Sequence, residues 1–146
     1  IKDYLAHYSG VDEYMKNVVE KAKRDGYVET MFGRRRYLPE LSSGKHMMRA
    51  FGERVARNMP IQGTAADIIK IAMIKVDERM KKEGLQARLI LQVHDELIVD
   101  CTATLKEEVA QKLAKLLQEE MENAVKLSVP LTADAAVGRT WYDAKK

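Results

Sequence analysis

Two hydrophobic rhythms run along this chain, and they divide it into helices and short hairpins. Val11, Tyr14, Met15, Val18, Val19 and Ala22 recur at three- and four-residue steps, which is the spacing of one helix face, and Gly26 offers the left-handed residue on which such a helix stops. A helix is therefore predicted over 11–25, set off from a short opening segment by Gly10. The next apolar positions lie in short runs, 27–31 and 35–38, on either side of Phe32-Gly33-Arg34, a pattern that predicts a small hairpin stopped by Pro39. Ser42 to Gly44 reads as a loop, and a helix follows over about 46–58. Pro60 and Gly63 are expected to break the chain there, since proline lacks the donor and clashes with the preceding turn.

A stronger helix is predicted over about 64–83. Ala65, Ile68, Ile69, Ala72, Met73, Val76 and Met80 form its stripe, Thr64 and Asp67 have the spacing of a capping pair, and Gly84 is its stop. Such a stripe should pack against a sheet. The run 88–100 supplies two strands around the polar triplet His94-Asp95-Glu96, because Ile and Val suit a pleated surface and neither run is long enough for a helix. Leu105, Val109, Leu113, Leu116, Leu117, Met121 and Val125 mark a further amphipathic helix of about twenty residues. Leu131, Ala133, Ala135 and Val137 alternate, predicting a last strand before Gly138 turns the chain into Trp141-Tyr142. The fold class expected is α+β, with amphipathic helices against an antiparallel sheet.

Composition changes this picture in one region. At 146 residues with 46% hydrophobic and 32% charged positions, the chain can bury a real core. No apolar run exceeds five residues, far below the roughly 20 a membrane span needs, and no secretory leader is visible, so a cytoplasmic setting without membrane partners is expected. Cys101 is the single cysteine, which excludes an internal disulfide and a cysteine-based zinc cluster and reads as a small hydrophobe. The formal charge is +3, yet residues 21–57 hold ten Lys and Arg against four acids, a local +6, while the rest is close to neutral. A localised positive field of this kind suits a polyanion such as nucleic acid, although a charge run is often only a solvated face. The opening Ile1-Lys2-Asp3-Tyr4-Leu5 carries no initiator Met and no capping signal, and reads as cut from something longer.

The chemistry sits in three places. A hairpin tip held by paired backbone on both sides gives carboxylates the rigid support that a magnesium-dependent phosphoryl-transfer site needs, so His94, Asp95 and Glu96 look like half of a metal site. Neighbours in a strand point to opposite faces, which makes Asp95 the safer metal ligand. Glu96 could take a second ion, act through water or only shape the turn, and His94 could meet a sugar or phosphate. Taken alone, the triplet reads first as a solvated hairpin tip. Arg54, Asn58 and Gln62 are spaced i, i+4, i+8, drifting by about 40° per step, and stay on one side of a helix if it runs that far. Their donors suit phosphate oxygens and minor-groove acceptors, with an ordinary polar face as the bland alternative. Arg34, Arg35 and Arg36 on the basic hairpin could grip a phosphate backbone, with alternation sending Arg35 away from the other two, or simply keep the surface soluble. No Walker-type glycine loop, HExxH or GxSxG occurs.

Taken together, Gly26-Tyr27-Val28-Glu29-Thr30 through Gly33-Arg34-Arg35-Arg36-Tyr37-Leu38-Pro39, then Arg54…Asn58-Met59-Pro60-Ile61-Gln62-Gly63-Thr64-Ala65-Ala66-Asp67, then Gln92-Val93-His94-Asp95-Glu96-Leu97 resemble the C-terminal part of the bacterial DNA polymerase I family, the family A polymerases. The likeness extends over nearly the whole chain to Trp141-Tyr142 and is greatest to Gram-positive members. It implies the C-terminal part of a right-hand polymerase, with residues 1–60 in the fingers, including the basic hairpin at about 27–38. Residues 61–146 then belong to the palm, including the metal-binding hairpin at about 88–100. By resemblance, Asp95 binds catalytic magnesium, Glu96 is its acidic neighbour, and His94 lies near the primer terminus. Arg54, Asn58 and Gln62 line the template-primer path, with Arg34 and Arg36 as further DNA contacts.

The activity implied is template-directed addition of deoxynucleotides to a primer 3′-hydroxyl, as a DNA-directed DNA polymerase in replication and repair. Primer-template DNA, deoxynucleoside triphosphates and the remainder of the polymerase chain are the implied partners, in the nucleoid-associated bacterial cytoplasm. The family's first metal-binding aspartate motif, of the type Asp-Tyr-Ser-Gln-Ile-Glu-Leu-Arg, and its nucleotide-gripping helix are not among these residues. Two magnesium ions would thus need an aspartate from upstream, and the isolated fragment is expected to be inactive and to aggregate or depend on the remainder. The alternative is a non-catalytic, nonspecific duplex-DNA-binding module, and an unrelated α+β structural domain is the third option.

Overall fold

The structure, a computed structural model, describes residues 7–101 and 107–145. Its elements in chain order are α1 (Ser9–Asp25), β1 (Tyr27–Glu29), β2 (Arg35–Tyr37), a 3-10 turn (Pro39–Ser42), α2 (His46–Lys82), β3 (Ala87–Val93), β4 (Glu96–Cys101), α3 (Glu107–Glu122) and α4 (Trp141–Ala144). Among the described residues the strands form two separate antiparallel hairpins, β1 with β2 and β3 with β4. Contacts divide the chain into one compact unit up to Asp67 and another from Ile68 onward.

In the first unit, α1 buries Val19 and Ala22 against Val28 of β1, Leu38 and Leu41 beyond β2, and Ala56 and Met59 of α2. The helix ends where its pattern predicts, with Gly26 at φ 79° and its N–H bonded to the Ala22 carbonyl at 2.9 Å. Its start differs, since α1 runs through Gly10 from Ser9. Across β1 and β2, Tyr27 faces Tyr37, Val28 faces Arg36 and Glu29 faces Arg35.

The predicted break at Pro60 is absent. Helix α2 is continuous for 37 residues, with Pro60 and Gly63 inside it. An interior proline costs about 3 kcal/mol relative to alanine, so tertiary contacts must offset it. They are visible around the next turn. The Thr64 hydroxyl donates to the Pro60 carbonyl and accepts the Met31 N–H at 3.0 Å, while the Arg34 guanidinium bonds the Gly63 carbonyl at 3.0 Å and the Asp67 carboxylate at 2.7 Å. Thr64 and Asp67 therefore do not cap a helix; they fasten the basic hairpin to α2. Gly63 is needed for this approach, because a Cβ there would lie 2.8 Å from the Thr30 methyl.

In the second unit, Val76 and Met80 of α2 meet Leu113 and Leu116 of α3. Leu85, Ala87, Leu89, Leu97, Val99, Cys101 and Leu117 pack around them. This is the helix-on-hairpin packing that the stripe predicts, although Ala65 at its start is exposed. Leu105 lies outside the described residues. The strand expected over 131–137 is not formed: Leu131 and Ala133 keep the alternation half-buried, but among the described residues no strand pairs with them, and the Ala133 N–H goes to the Glu122 carboxylate at 3.1 Å. Alternation specifies a face, and a strand also needs a partner ladder.

An ion-pair network flanks this second core. Arg79 contacts Glu83 at 3.0 Å, Glu119 at 2.8 Å and Glu120 at 2.9 Å, and Lys112 reaches Glu83 at 2.7 Å. The Lys112 hydrogen bond, followed by that of Arg79, holds the Glu83 carboxyl below its usual range. A carboxyl lowered by folding contributes stability that is present above its unfolded pKa and lost as pH falls through its folded value. Glu83→Gln is accordingly expected to lower the melting temperature slightly at neutral pH and not at all in acid, once wild-type Glu83 is protonated. A melting-temperature gap that stays constant on acidification would refute this.

Candidate functional site

The β3–β4 hairpin closes on the pair Val93 and Glu96, leaving His94 and Asp95 as the two residues of the turn. The triplet is therefore split, with Glu96 opening β4 instead of sharing the loop. His94 adopts φ 55°, the left-handed region that costs a side-chain-bearing residue roughly 1–2 kcal/mol. The Gln92 carboxamide supports the turn by donating to the His94 carbonyl. Further down, the ladder shifts between Leu89 and Leu91, so that Ile90 is bulged out and exposed. The core side of the hairpin thus carries Leu89, Leu97 and Val99, and paired backbone holds the turn away from that core.

Asp95 is exposed, and its carboxylate has neither a hydrogen bond nor an ion pair among the described residues. Glu96 is engaged in an ion pair with the Lys145 ammonium at 3.1 Å. Among the described residues no three His, Cys, Asp or Glu side chains converge to hold a metal ion. A magnesium ion is commonly held by one or two carboxylates together with water and substrate phosphates. The uncommitted Asp95 fits one such ligand position, and Glu96 fits a second only if Lys145 gives it up.

In the first unit, Arg54, Asn58 and Gln62 all lie on the unbroken α2 and all are exposed. Pro60 does not end the helix between them. Their side chains make no hydrogen bond among the described residues, and the Arg54 guanidinium stands over the Phe51 ring at 5.8 Å. The row of donors expected from the spacing is therefore open to an external acceptor.

The hairpin arginines separate into committed and uncommitted groups. Arg34 is tied to Asp67 and Gly63, while Arg35 bonds Glu29 at 3.3 Å and lies over Tyr27 at 4.5 Å. Arg36 is exposed and makes no side-chain bond among the described residues. Elsewhere in the basic segment, Lys23 pairs with Glu53 at 3.1 Å and Arg57 with the same carboxylate at 3.5 Å. Glu53 is held below its usual range first by the Lys23 hydrogen bond, against the opposing effect of desolvation. Much of the local positive charge is thus spent within the fold, and Arg36 and Arg54 are among the cations that remain. The pattern of residues carried no signal for Lys145, whose partner lies 49 positions earlier in the chain.

Each unit thus offers its own open groups: an exposed donor row on α2 in the first, and an exposed carboxylate on a hairpin tip in the second. The sequence profile of DNA polymerase family A matches residues 1–143, and the chain belongs to that family. It is 54% identical to DNA polymerase I of Geobacillus stearothermophilus over 145 residues, which is 99% of this chain and 16% of that protein. It is 52% identical to DNA polymerase I of Bacillus subtilis (strain 168) over the same shares. Among solved structures, it matches the POL domain of Pol1 from M. smegmatis in complex with DNA primer-template and dNTP. That match has a TM-score of 0.92 and 46% identity, and covers 99% of this chain and 25% of that one. The mixed helices and small antiparallel sheets accordingly match a polymerase-domain fold. The chain spans about one sixth of the length of the curated relatives it matches.

Proposed function

We propose that these residues form part of a DNA-directed DNA polymerase that adds deoxynucleotides to a primer 3′-hydroxyl on a template. The single observation that carries this reading is the uncommitted Asp95 carboxylate on a rigid two-residue hairpin tip, in a chain that matches DNA polymerase family A from residue 1 to residue 143. In this reading residues up to about 60 belong to the fingers and the later ones to the palm. The relatives named DNA polymerase I and the Pol1 neighbour bound to primer-template and dNTP support it.

Magnesium, when bound, supplies positive charge beside the attacking and leaving oxygens of phosphoryl transfer. The chain's own contribution is Asp95 as an anionic oxygen ligand, with Glu96 as a second carboxylate whose role depends on Lys145. Arg54, Asn58 and Gln62 offer hydrogen bonds to the template-primer duplex, Arg36 adds a phosphate contact, and His94 faces the reacting end of the primer. Arg34 serves DNA binding indirectly by holding the basic hairpin on α2. No described helix is long and apolar enough to cross a membrane, and the protein works in this reading on nucleoid DNA in the bacterial cytoplasm.

The test is primer extension by the full polymerase polypeptide that carries these residues. Magnesium-dependent extension with deoxynucleoside triphosphates is expected, and none is expected from residues 1–146 alone. A folded full polypeptide that binds primer-template and adds no nucleotide at any magnesium concentration would overturn the reading. Duplex contact has its own measurement. Arg54→Ala is expected to weaken primer-template binding by about three- to tenfold and to reduce the salt slope by about one, because one phosphate contact releases about one counterion. An unchanged slope in fluorescence-anisotropy titrations would remove Arg54 from the interface.

A further inference from the structure

The segment after Gly138 is built to deliver one ammonium group to the hairpin. The Thr140 hydroxyl caps α4, accepting the Asp143 N–H at 3.2 Å and lying 2.7 Å from the Asp143 carboxylate. A Cβ at Gly138 would lie 2.6 Å from the Ala144 nitrogen, so only glycine lets the chain fold this tightly onto the helix. Lys145 then projects across the Trp141 ring, its ammonium 4.7 Å from the ring centre and 3.1 Å from the Glu96 carboxylate. Two adjacent acids therefore stand in different states, with Asp95 uncommitted and Glu96 already holding a cation that belongs to the protein.

We propose that Lys145 is a positioning residue for Glu96: it occupies that carboxylate as a resident countercharge and competes with a divalent cation for it, leaving Asp95 as the open ligand of the hairpin. The proposal rests on the reading of the hairpin given above. Trp141 directs the ammonium, and Gly138 and Thr140 hold the short helix that begins at Trp141 and ends just before Lys145. The pair is half-exposed, so the competition is modest in size: an exposed ion pair is worth up to about 1 kcal/mol, equivalent to a change in cation affinity of about two- to fivefold.

The experiment uses the full polymerase polypeptide and Mn2+ as the probe, with free ion measured by electron paramagnetic resonance. Lys145→Ala is expected to tighten Mn2+ binding by about two- to fivefold, Lys145→Arg to restore wild-type affinity, and Gly138→Ala to reproduce the alanine phenotype by displacing the helix. In a Glu96→Gln background, Lys145→Ala should have no further effect. Unchanged Mn2+ affinity in Lys145→Ala, or an equal change in the Glu96→Gln background, would overturn the proposal. Asp95→Asn separates the two levels. If it weakens Mn2+ binding while Lys145→Ala does nothing, only the role of Lys145 falls; if Mn2+ binding is indifferent to Asp95→Asn, the metal reading of the hairpin falls with it.

Discussion

Asp95→Asn in the full polymerase polypeptide is expected to slow nucleotide addition by about a thousandfold or more with no loss of stability. The substitution keeps the side-chain volume, and the wild-type carboxylate is exposed and makes no bond among the described residues, so folding has nothing to lose. What changes is one negative charge at the point where hard cations and phosphate charge would meet. Anionic ligands and electrostatic stabilisation at such sites supply several kcal/mol, and about 4 kcal/mol corresponds to roughly three powers of ten in rate. Glu96→Gln is expected to cost far less, about tenfold, because Glu96 already carries a protein cation. Single-turnover primer extension with a parallel melting curve checks both. An Asp95→Asn enzyme within tenfold of wild type would show that the hairpin tip does not take part in phosphoryl transfer.

Val76→Asp is expected to unfold the second unit. Val76 is 0% exposed and sits among Met80, Leu113 and Leu116, with the hairpin residues Leu89, Leu97 and Val99 packed around the same core. The substitution forfeits about 1.5–3 kcal/mol of apolar burial and places a carboxyl in an apolar cluster, at several kcal/mol more. Set against a typical total of about 5–15 kcal/mol, that loss is decisive. Val76→Ala is expected to cost about 2 kcal/mol and to leave the fold intact. The aspartate variant carries a signature in pH. Burial raises its folded pKa above the unfolded value, so its deficit is smallest in acid and grows as pH rises through the carboxylate range. Urea unfolding gives the magnitude, and hydrogen exchange should place the loss in β3, β4 and α3. A cooperative transition close to that of wild type at neutral pH would show that this core tolerates charge.

Both predictions depend on features whose legibility differs. The stripe through Ala72, Val76 and Met80 is visible as periodicity, because burying one helix face imposes a 3.6-residue repeat whatever the partner. The hairpin around His94 and Asp95 is visible for the same reason, as two β-prone runs around a polar break. Strand alternation already marked Asp95 as the safer ligand, but the engagement of Glu96 by a protein cation was not visible. It depends on Lys145, delivered by Gly138 and Thr140 from far along the chain, and no local pattern encodes which of two neighbouring acids will meet a cation.

Pro60 shows the limit most plainly. Read locally, Pro60 and Gly63 are breakers and Thr64 with Asp67 starts a new helix; in the fold, all four lie inside α2. Intrinsic propensity is a few kcal/mol at most, and a buried Met59, the Thr64 hydroxyl on the Pro60 carbonyl and the Arg34–Asp67 pair offset it. The same contacts reassign Arg34 from a free cation to a tether, whereas Arg36 stays open among the described residues. Likewise, the alternation over 131–137 is real but finds no ladder among the described residues.

Sequence by itself thus determined the two hairpins, the apolar faces of the helices, the localised positive charge, and the motifs by which the chain belongs to DNA polymerase family A. These are properties of short windows, set by side-chain chemistry and the two periods of secondary structure. Only the tertiary structure decided that α2 runs unbroken through Pro60, that Arg34 and Glu96 are engaged while Arg36, Arg54 and Asp95 are open, and that Lys145 is the partner of Glu96. Those outcomes depend on which distant groups come within hydrogen-bonding reach, a matter of packing geometry that no local window contains.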